Sequence, residues 1–294
     1  MLASKKTNIV LHIIFLLLVV VMLFPIILTV SISLSSSKSI IEYGYNIIPK
    51  EFSLEAYKFI LKDPSTILRA YAVTIFTTAV GAGLSTLIIM LYAYTLSRRD
   101  FKFRKFLTYF TLFTMLFSGG TVSSYIVNTT VYKLSNTVWA MILPYVVSAW
   151  YIIVMRTFFQ SSVPISIIES GKLDGAGEFR IFFKLVVPIS IPGIATVALF
   201  QTLYYWNDWW LPMLYIVEPK LYNLQFLLQQ MMQNIQNLNE NSQYISNASE
   251  QLMSMPTESA RMALCMVAMG PILIVYPFFQ RYFIQGLTVG AVKG

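Results

Sequence analysis

Glu169-Ser-Gly-Lys-Leu-Asp-Gly175-Ala-Gly-Glu-Phe-Arg-Ile-Phe-Phe-Lys-Leu-Val186 runs directly into Val187-Pro188. This polar stretch sits between uncharged runs long enough to cross a bilayer, which takes about 20 apolar residues. It reads as a handle by which something outside the membrane moves the spans on either side. Transport is therefore the leading expectation.

The rest of the chain agrees with a membrane setting. Of 294 residues, 56% are hydrophobic and 12% charged, against roughly a quarter charged in soluble domains. Uncharged runs occur at 8–37, 70–97, 106–132, 134–155, 185–207 and 262–280, the fifth extending past Asp208 to Val217. They predict an all-α, polytopic protein of six spans, roughly 9–34, 70–97, 106–128, 137–157, 190–217 and 260–281, forming one transmembrane domain over 1–294. The first run follows Lys5-Lys6 as a signal peptide would, yet it is too long for a signal core and has no small-x-small cleavage site, so a retained span is expected.

The net charge of +8 follows this topology. With both termini cytoplasmic, the segments on that side hold 13 Lys+Arg against four acids, while the external segments hold eight against eight. Asp208, the thirteenth acid, falls within a span. That asymmetry is the positive-inside bias, and it argues against a nucleic-acid surface. The run Arg98-Arg-Asp-Phe-Lys-Phe-Arg-Lys105 then reads as an anchor beside anionic lipid headgroups. External loops are expected over 38–69, with an amphipathic piece at Leu54–Leu61, and over 218–258, rich in Asn and Gln.

From Glu169 the chain gives E-S-G, three residues, Gly175, nine residues, then Leu185-Val-Val-Pro188. This resembles the E-A-A, x3, G, x9, I-x-L-P loop of ABC importer permeases. Trp206-Asn207-Asp208-Trp209 is similar to the W-N-x-F run of carbohydrate importers, and Gly286-Leu-Thr-Val-Gly290-Ala-Val-Lys-Gly294 to their C-terminal ending. With Ile48-Pro49-Lys50 and Phe52-Ser-Leu-Glu-Ala-Tyr-Lys58, the likeness covers nearly the whole chain. It points to the maltose-type group, in the branch importing complex oligosaccharides. The departure is Ser170-Gly171 where two alanines are usual: both residues are small, but Gly171 weakens the helix by roughly 1 kcal/mol relative to Ala.

The resemblance implies a type I importer permease in a bacterial plasma membrane. Its loop, 162–188, would be a cytoplasmic coupling helix docked on an ATPase through Glu169, Ser170, Gly171, Leu173, Asp174, Gly175, Ala176, Gly177, Glu178, Phe179 and Phe182. The implied partners are two ATPase subunits carrying ATP and Mg, a homologous sister permease, and an extracellular or periplasmic solute-binding protein, with an oligosaccharide as cargo. The tail within 283–294 would reach toward the ATPase pair.

The residues themselves support a docking helix. Ser162-x-Pro164 offers one helix start and Ser166-x-x-Glu169 a second of capping-box type. Ile165, Ile168, Leu173, Ala176 and Phe179 recur at amphipathic spacing, and Gly175 with Gly177 permits a turn. Phe179, Phe182 and Phe183 are expected to be exposed, which calls for a partner; a helix lying on the lipid interface would use the same residues.

A second group lies in the fifth span, where Tyr204-Tyr-Trp-Asn-Asp-Trp-Trp210 mixes aromatic, amide and carboxylate groups. A sugar presents an apolar C–H face and a rim of hydroxyls, which such groups match. Asp208 would cost about 2.5–3.5 kcal/mol at a bilayer centre, so it should face a cavity, the bundle interior or a partner. On an unbroken helix Tyr205, Asp208 and Trp209 share one face, with Tyr204 and Asn207 on the next. Alternatively, Trp209 and Trp210 belong to an interfacial aromatic belt.

Several classes are excluded or disfavoured. The chain has no G-x-x-x-x-G-K-[ST] loop, so a nucleotide motor must be another chain. One Cys and one His, read as packing residues, cannot build a metal centre or a catalytic cluster, so neither an enzyme nor a resident cofactor is expected. An ion-coupled carrier would call for more intramembrane acids and an internal repeat. A permease of the same type carrying a phosphorylated polyol or a peptide remains the nearest alternative.

Overall fold

The computed structural model describes residues 5–241, 258–273 and 277, with side chains described from residue 8 to 237 and over 258–273 and 277. The expected tail at 283–294 lies outside these residues, as do 274–276 and 278–281 of the last expected span. The described chain is helical apart from turns, loops and one isolated bridge, Ser35 to Phe52.

The chain divides into two compact units, 1–67 with 228–271, and 68–227 with 272–294. In the first, α1 (Lys5–Ser33) is the first expected span, and its apolar side chains from Ile9 to Ile27 are exposed, as suits lipid. After α1 the chain folds on itself: Ser31 Oγ donates to the Asn46 carbonyl at 2.7 Å and Ser36 Oγ to Glu51 at 2.7 Å. The expected loop over 38–69 holds α2 (Ser37–Tyr43) and α3 (Glu55–Ile60), the latter burying Ala56 and Ile60. His12 and Cys265, read as packing residues, are instead exposed on their helices.

The second unit carries both candidate sites. It contains most of α4 (Pro64–Ser97), which is unbroken and starts six residues earlier than its apolar run. Asp63 caps α4, its Oδ1 accepting from the Ser65 and Thr66 amides, while Pro64 takes the position where a missing N–H costs nothing.

The next three spans are bent, at or near the Gly and Pro residues that interrupt their apolar runs. α5 (Arg104–Leu116) and α6 (Gly120–Ile126, prolonged by a π turn, Val127–Val131) meet at 112°. Gly120, at φ +80°, supplies the left-handed conformation that this elbow requires. A 3-10 segment, Val138–Tyr145, meets α7 (Ala149–Ser162) at 49° beside Pro144. The segment Glu178–Ile189 meets α11 (Ile191–Trp206) at 86°; within it lie α9 (Glu178–Ile181), a π turn (Phe182–Val186) and α10 (Val187–Ile189). Among the described residues, two helices can cross a membrane unbroken, or up to five spans if each bent pair counts as one. A sequence run reports apolar length but not the breaks that neighbouring protein can tolerate inside it.

A further helix, α12 (Trp210–Tyr215), follows a break after α11. The amide-rich loop expected over 218–258 is corrected in part: Leu224–Asn241 forms α13, with Leu224, Phe226, Leu227, Leu228 and Ile235 buried. Apolar residues three and four apart drive this helix although its polar residues, Glu240 aside, are all amides.

Candidate functional site

The segment expected to couple is a short helix, α8 (Ile165–Leu173), with Pro164 at its N-cap. No side chain caps it, so the expected capping box of Ser166 and Glu169 does not form. At its end the Gly175 amide donates to the Lys172 carbonyl at 3.0 Å and the Ala176 amide to the Gly171 carbonyl at 2.9 Å. Those two bonds make a Schellman turn, with Gly175 left-handed at φ +74°. The chain then reverses through Gly177 into α9.

The root of this hairpin is buried. Ile168, Ile181, Phe182 and Val186 share one apolar cluster with Ile89, Ala93 and Tyr94 of α4 and with Ile152, Met155 and Phe159 of α7. Phe182 is only 1% exposed, so its expected place on the docking surface is corrected: it packs against Tyr94 at 5.0 Å. A Cβ at Gly171 would lie 3.0 Å from Leu185 and 3.2 Å from Ile181, whose side chains fill the space an alanine would need.

The tip is bare. Leu173 is 89% and Phe179 72% exposed, and Glu169, Ser170, Asp174, Gly175, Gly177 and Glu178 are also at the surface, with Ala176 half-buried.

Root and tip are joined by charge. Arg98, just past α4, forks onto both oxygens of Asp100 at 3.0 and 2.7 Å. Lys172 bonds Asp100 at 2.8 Å and Glu178 at 3.0 Å, and the Tyr94 hydroxyl donates to Glu178 at 3.0 Å. The hydrogen bond from Arg98, followed by that from Lys172, holds the Asp100 carboxyl well below the usual carboxylate range. Burial raises the Glu178 carboxyl, but Lys172, Tyr94 and Arg98 together outweigh it and leave it lowered. Bonds to Asp100 and then Glu178 raise Lys172. Sequence reasoning missed this brace, although an Arg-x-Asp directly after a span facing a Lys and a Glu in the next polar loop was a usable signal.

The second site lies where α11 breaks. The shared helical face expected for Tyr205, Asp208 and Trp209 is corrected, because α11 ends at Trp206 and α12 begins at Trp210. Asp208 caps α12: its Oδ1 accepts from the Trp210 and Leu211 amides at 3.1 and 3.2 Å. The residue is 7% exposed, and its Oδ2 has no hydrogen-bond partner.

Tyr204, Asn207, Asp208 and Trp209 line an open cavity of ≈ 440 Å³ with Tyr145, Tyr151, Phe200 and Trp210. The Tyr145 and Tyr204 rings meet edge to face at 4.6 Å. Tyr205 lies outside that cavity: it is 1% exposed, and its hydroxyl donates to the Ile142 carbonyl at 2.9 Å. A neighbouring cavity of ≈ 530 Å³ shares Tyr145 and Trp210 and adds Ser118, Thr121, Ser123, Ser124 and Asn128 from the α5–α6 elbow. The density of hydroxyls around Gly119-Gly120, inside an otherwise apolar run, was the signal for these missed residues.

The family model for binding-protein-dependent transport system inner membrane components matches residues 85–289. The polygalacturonan/rhamnogalacturonan transport system permease protein YtcP of Bacillus subtilis (strain 168) is 35% identical over 270 residues, 92% of each chain. Protein LplC of the same strain is 35% identical over 272 residues, 92% of this chain and 90% of the relative. In the crystal structure of a bacterial ABC transporter involved in the import of the acidic polysaccharide alginate, one chain matches with a TM-score of 0.80 and 27% identity, over 96% of this chain and 99% of that one. A hairpin rooted in a helical bundle, a cavity at a broken span and these matches converge: the chain belongs to the family of binding-protein-dependent transport system inner membrane components and has the ABC importer permease fold.

Proposed function

We propose that this chain forms half of the translocation pathway of an ATP-driven oligosaccharide importer in a bacterial plasma membrane. A homologous permease forms the other half, a solute-binding protein delivers the sugar outside, and two ATPase subunits, which carry the ATP and Mg, grip α8 and α9 on the cytoplasmic side. The observation that carries this reading is the contrast within one hairpin. Leu173 and Phe179 project bare apolar surface, while Ile168, Ile181 and Phe182 bury the hairpin's root against α4 and α7.

Exposed apolar groups on a braced base suit a socket in a partner. A push on the tip then moves α4 and α7 instead of bending the loop. Swinging a two-state permease from 1:99 to 99:1 takes about 5.5 kcal/mol of differential binding, which nucleotide-dependent grip on the hairpin would supply. The chain itself catalyses nothing in this scheme.

Carbohydrate cargo is supported by the aromatic walls of the cavity beside Asp208 and by the relatives named for polygalacturonan and arabinooligosaccharides. Tyr204, Asn207, Asp208 and Trp209 are the proposed contacts. The test is site-specific crosslinking from position 173 in the assembled complex, as a Leu173→Cys variant with Cys265→Ser. Bridging to the ATPase chains is expected, and labelling of position 173 from the external face of intact cells would overturn the proposal.

A further inference from the structure

Behind α8 lies an open cavity of ≈ 600 Å³ that no step of the transport scheme uses. Its walls come from the end of α4, the 98–104 turn, the end of α7 and the inner face of α8. Four cations line it, Arg98, Arg99, Arg104 and Lys172, against two acids, Asp100 and Glu169. Arg98 and Lys172 are taken by Asp100 and Glu178. Among the described residues, Arg99 and Arg104 form no ion pair.

A third arginine joins them. Arg156 precedes Gln160, a lining residue, by one helical turn on the same face of α7. Arg104 begins α5, which packs along α7, so the two guanidinium groups belong to facing helices. The Arg156 Nε is buried and has no hydrogen-bond partner, and among the described residues Arg156 forms no ion pair. Two like charges, one with a buried orphan donor, are costly at the margin of a membrane unless an anion lies between them.

We infer that this cavity holds the phosphate of an anionic phospholipid, clamped by Arg104 and Arg156 with Arg99 at the rim. Guanidinium groups take phosphate oxygens in pairs, and basic pockets between membrane helices on the cytoplasmic side accept such headgroups. A lipid fits better than a free anion because α5, which begins at Arg104, carries exposed Phe106 and Phe110 on its outward face, so acyl chains lying along that helix are within reach of the site. Since Ile165, Ile168 and Lys172 of α8 also wall the cavity, the lipid would set the stance of the docking hairpin. The inference rests on the proposed function only for which side of the membrane this end faces.

The test is native mass spectrometry of the whole purified complex, after exchange into mixed phosphatidylglycerol and phosphatidylcholine. Wild type is expected to keep phosphatidylglycerol in preference, and Arg104→Gln with Arg156→Gln to lose its retention about tenfold. The pair Arg104→Lys with Arg156→Lys should retain more than the glutamine pair, because charge remains. If the double glutamine variant fails to accumulate, Arg99→Gln alone is measured and is expected to weaken retention in the same direction. Millimolar inorganic phosphate should not displace the lipid; displacement would show a free-anion site and overturn the inference. Equal retention by wild type and the glutamine variants would overturn it too, as would lipid retention that appears only after the ATPase subunits are stripped, which would mark the cavity as part of their interface.

Discussion

The Tyr94 hydroxyl, one turn from the end of a membrane-crossing helix, donates to Glu178 Oε2 at the start of α9. The same ring packs edge to face on Phe159 of α7 at 6.3 Å. One side chain of α4 thus ties α4 to the α8–α9 hairpin and to α7. Tyr94→Phe keeps the packing and removes the bond, which is worth about 0.5–1.5 kcal/mol. Membrane levels should be near normal while uptake per ATP hydrolysed falls, as read from paired uptake and phosphate-release assays in proteoliposomes.

The charged brace makes a pH prediction. Asp100 and Glu178 are lowered in the folded protein, so their contribution is present above the ordinary carboxylate value of about 4 and is lost as pH falls through the lowered values. Lys172 is raised, so its contribution is present below its ordinary value of about 10.4 and is lost as pH rises through the raised one. Between about pH 5 and 9 the brace stays intact. Thermal melting of wild type and of a Lys172→Met variant should therefore differ by a constant offset across that range; an offset that vanished near pH 6 would contradict the brace.

At Gly175 two substitutions separate backbone strain from docking. Asp and Asn tolerate the left-handed conformation about equally, and a Cβ there meets nothing within 4 Å. Gly175→Asn should keep most uptake, whereas Gly175→Asp, placing a charge at the docking turn, should abolish uptake with insertion intact. Equal activity of the two would show that the turn touches no partner.

Tyr205 is a keystone, and its variants should report stability alone. A Cβ at Gly81 would lie 2.5 Å from the Tyr205 ring, so Gly81→Ala forces a shift costing about 1–3 kcal/mol. Tyr205→Phe removes one of two donors to the Ile142 carbonyl, which keeps the Tyr145 amide at 3.3 Å, at about 0.5–1.5 kcal/mol. Both should lower the melting temperature without changing which sugars compete for uptake.

Asp208 has a cap to lose and an oxygen to offer. Asp208→Ala removes the cap of α12, at about 1 kcal/mol, while Asp208→Asn keeps an acceptor. If Oδ2 meets the cargo, the Asn variant should melt like wild type yet show weaker uptake at limiting sugar, measured as a raised half-saturation concentration.

The all-helical class and the turn that ends α8 were legible because they rest on local signals: apolar run length, and the E-x-x, x3, G spacing that Gly175 makes physical through its positive φ. The broken spans were legible only as single residues, Gly119-Gly120 and Pro144, because whether a break bends a helix by 112° or 49° depends on the protein packed around it. Phe182 read as a surface group and Tyr205 as a pathway group, since an aromatic side chain beside polar neighbours carries no mark of which way it turns. The packing of Phe182 on Tyr94, across 88 positions of sequence, decides it. The Arg98, Asp100, Lys172 and Glu178 brace is likewise long-range and shows only in three dimensions.

The most direct measurement of the mechanical claim is sugar uptake by proteoliposomes holding this chain, its sister permease and the binding protein, with and without the ATPase chains and ATP. Concentrative uptake only when both ATPase and ATP are present is the predicted result. Uptake at an undiminished rate without them would contradict it.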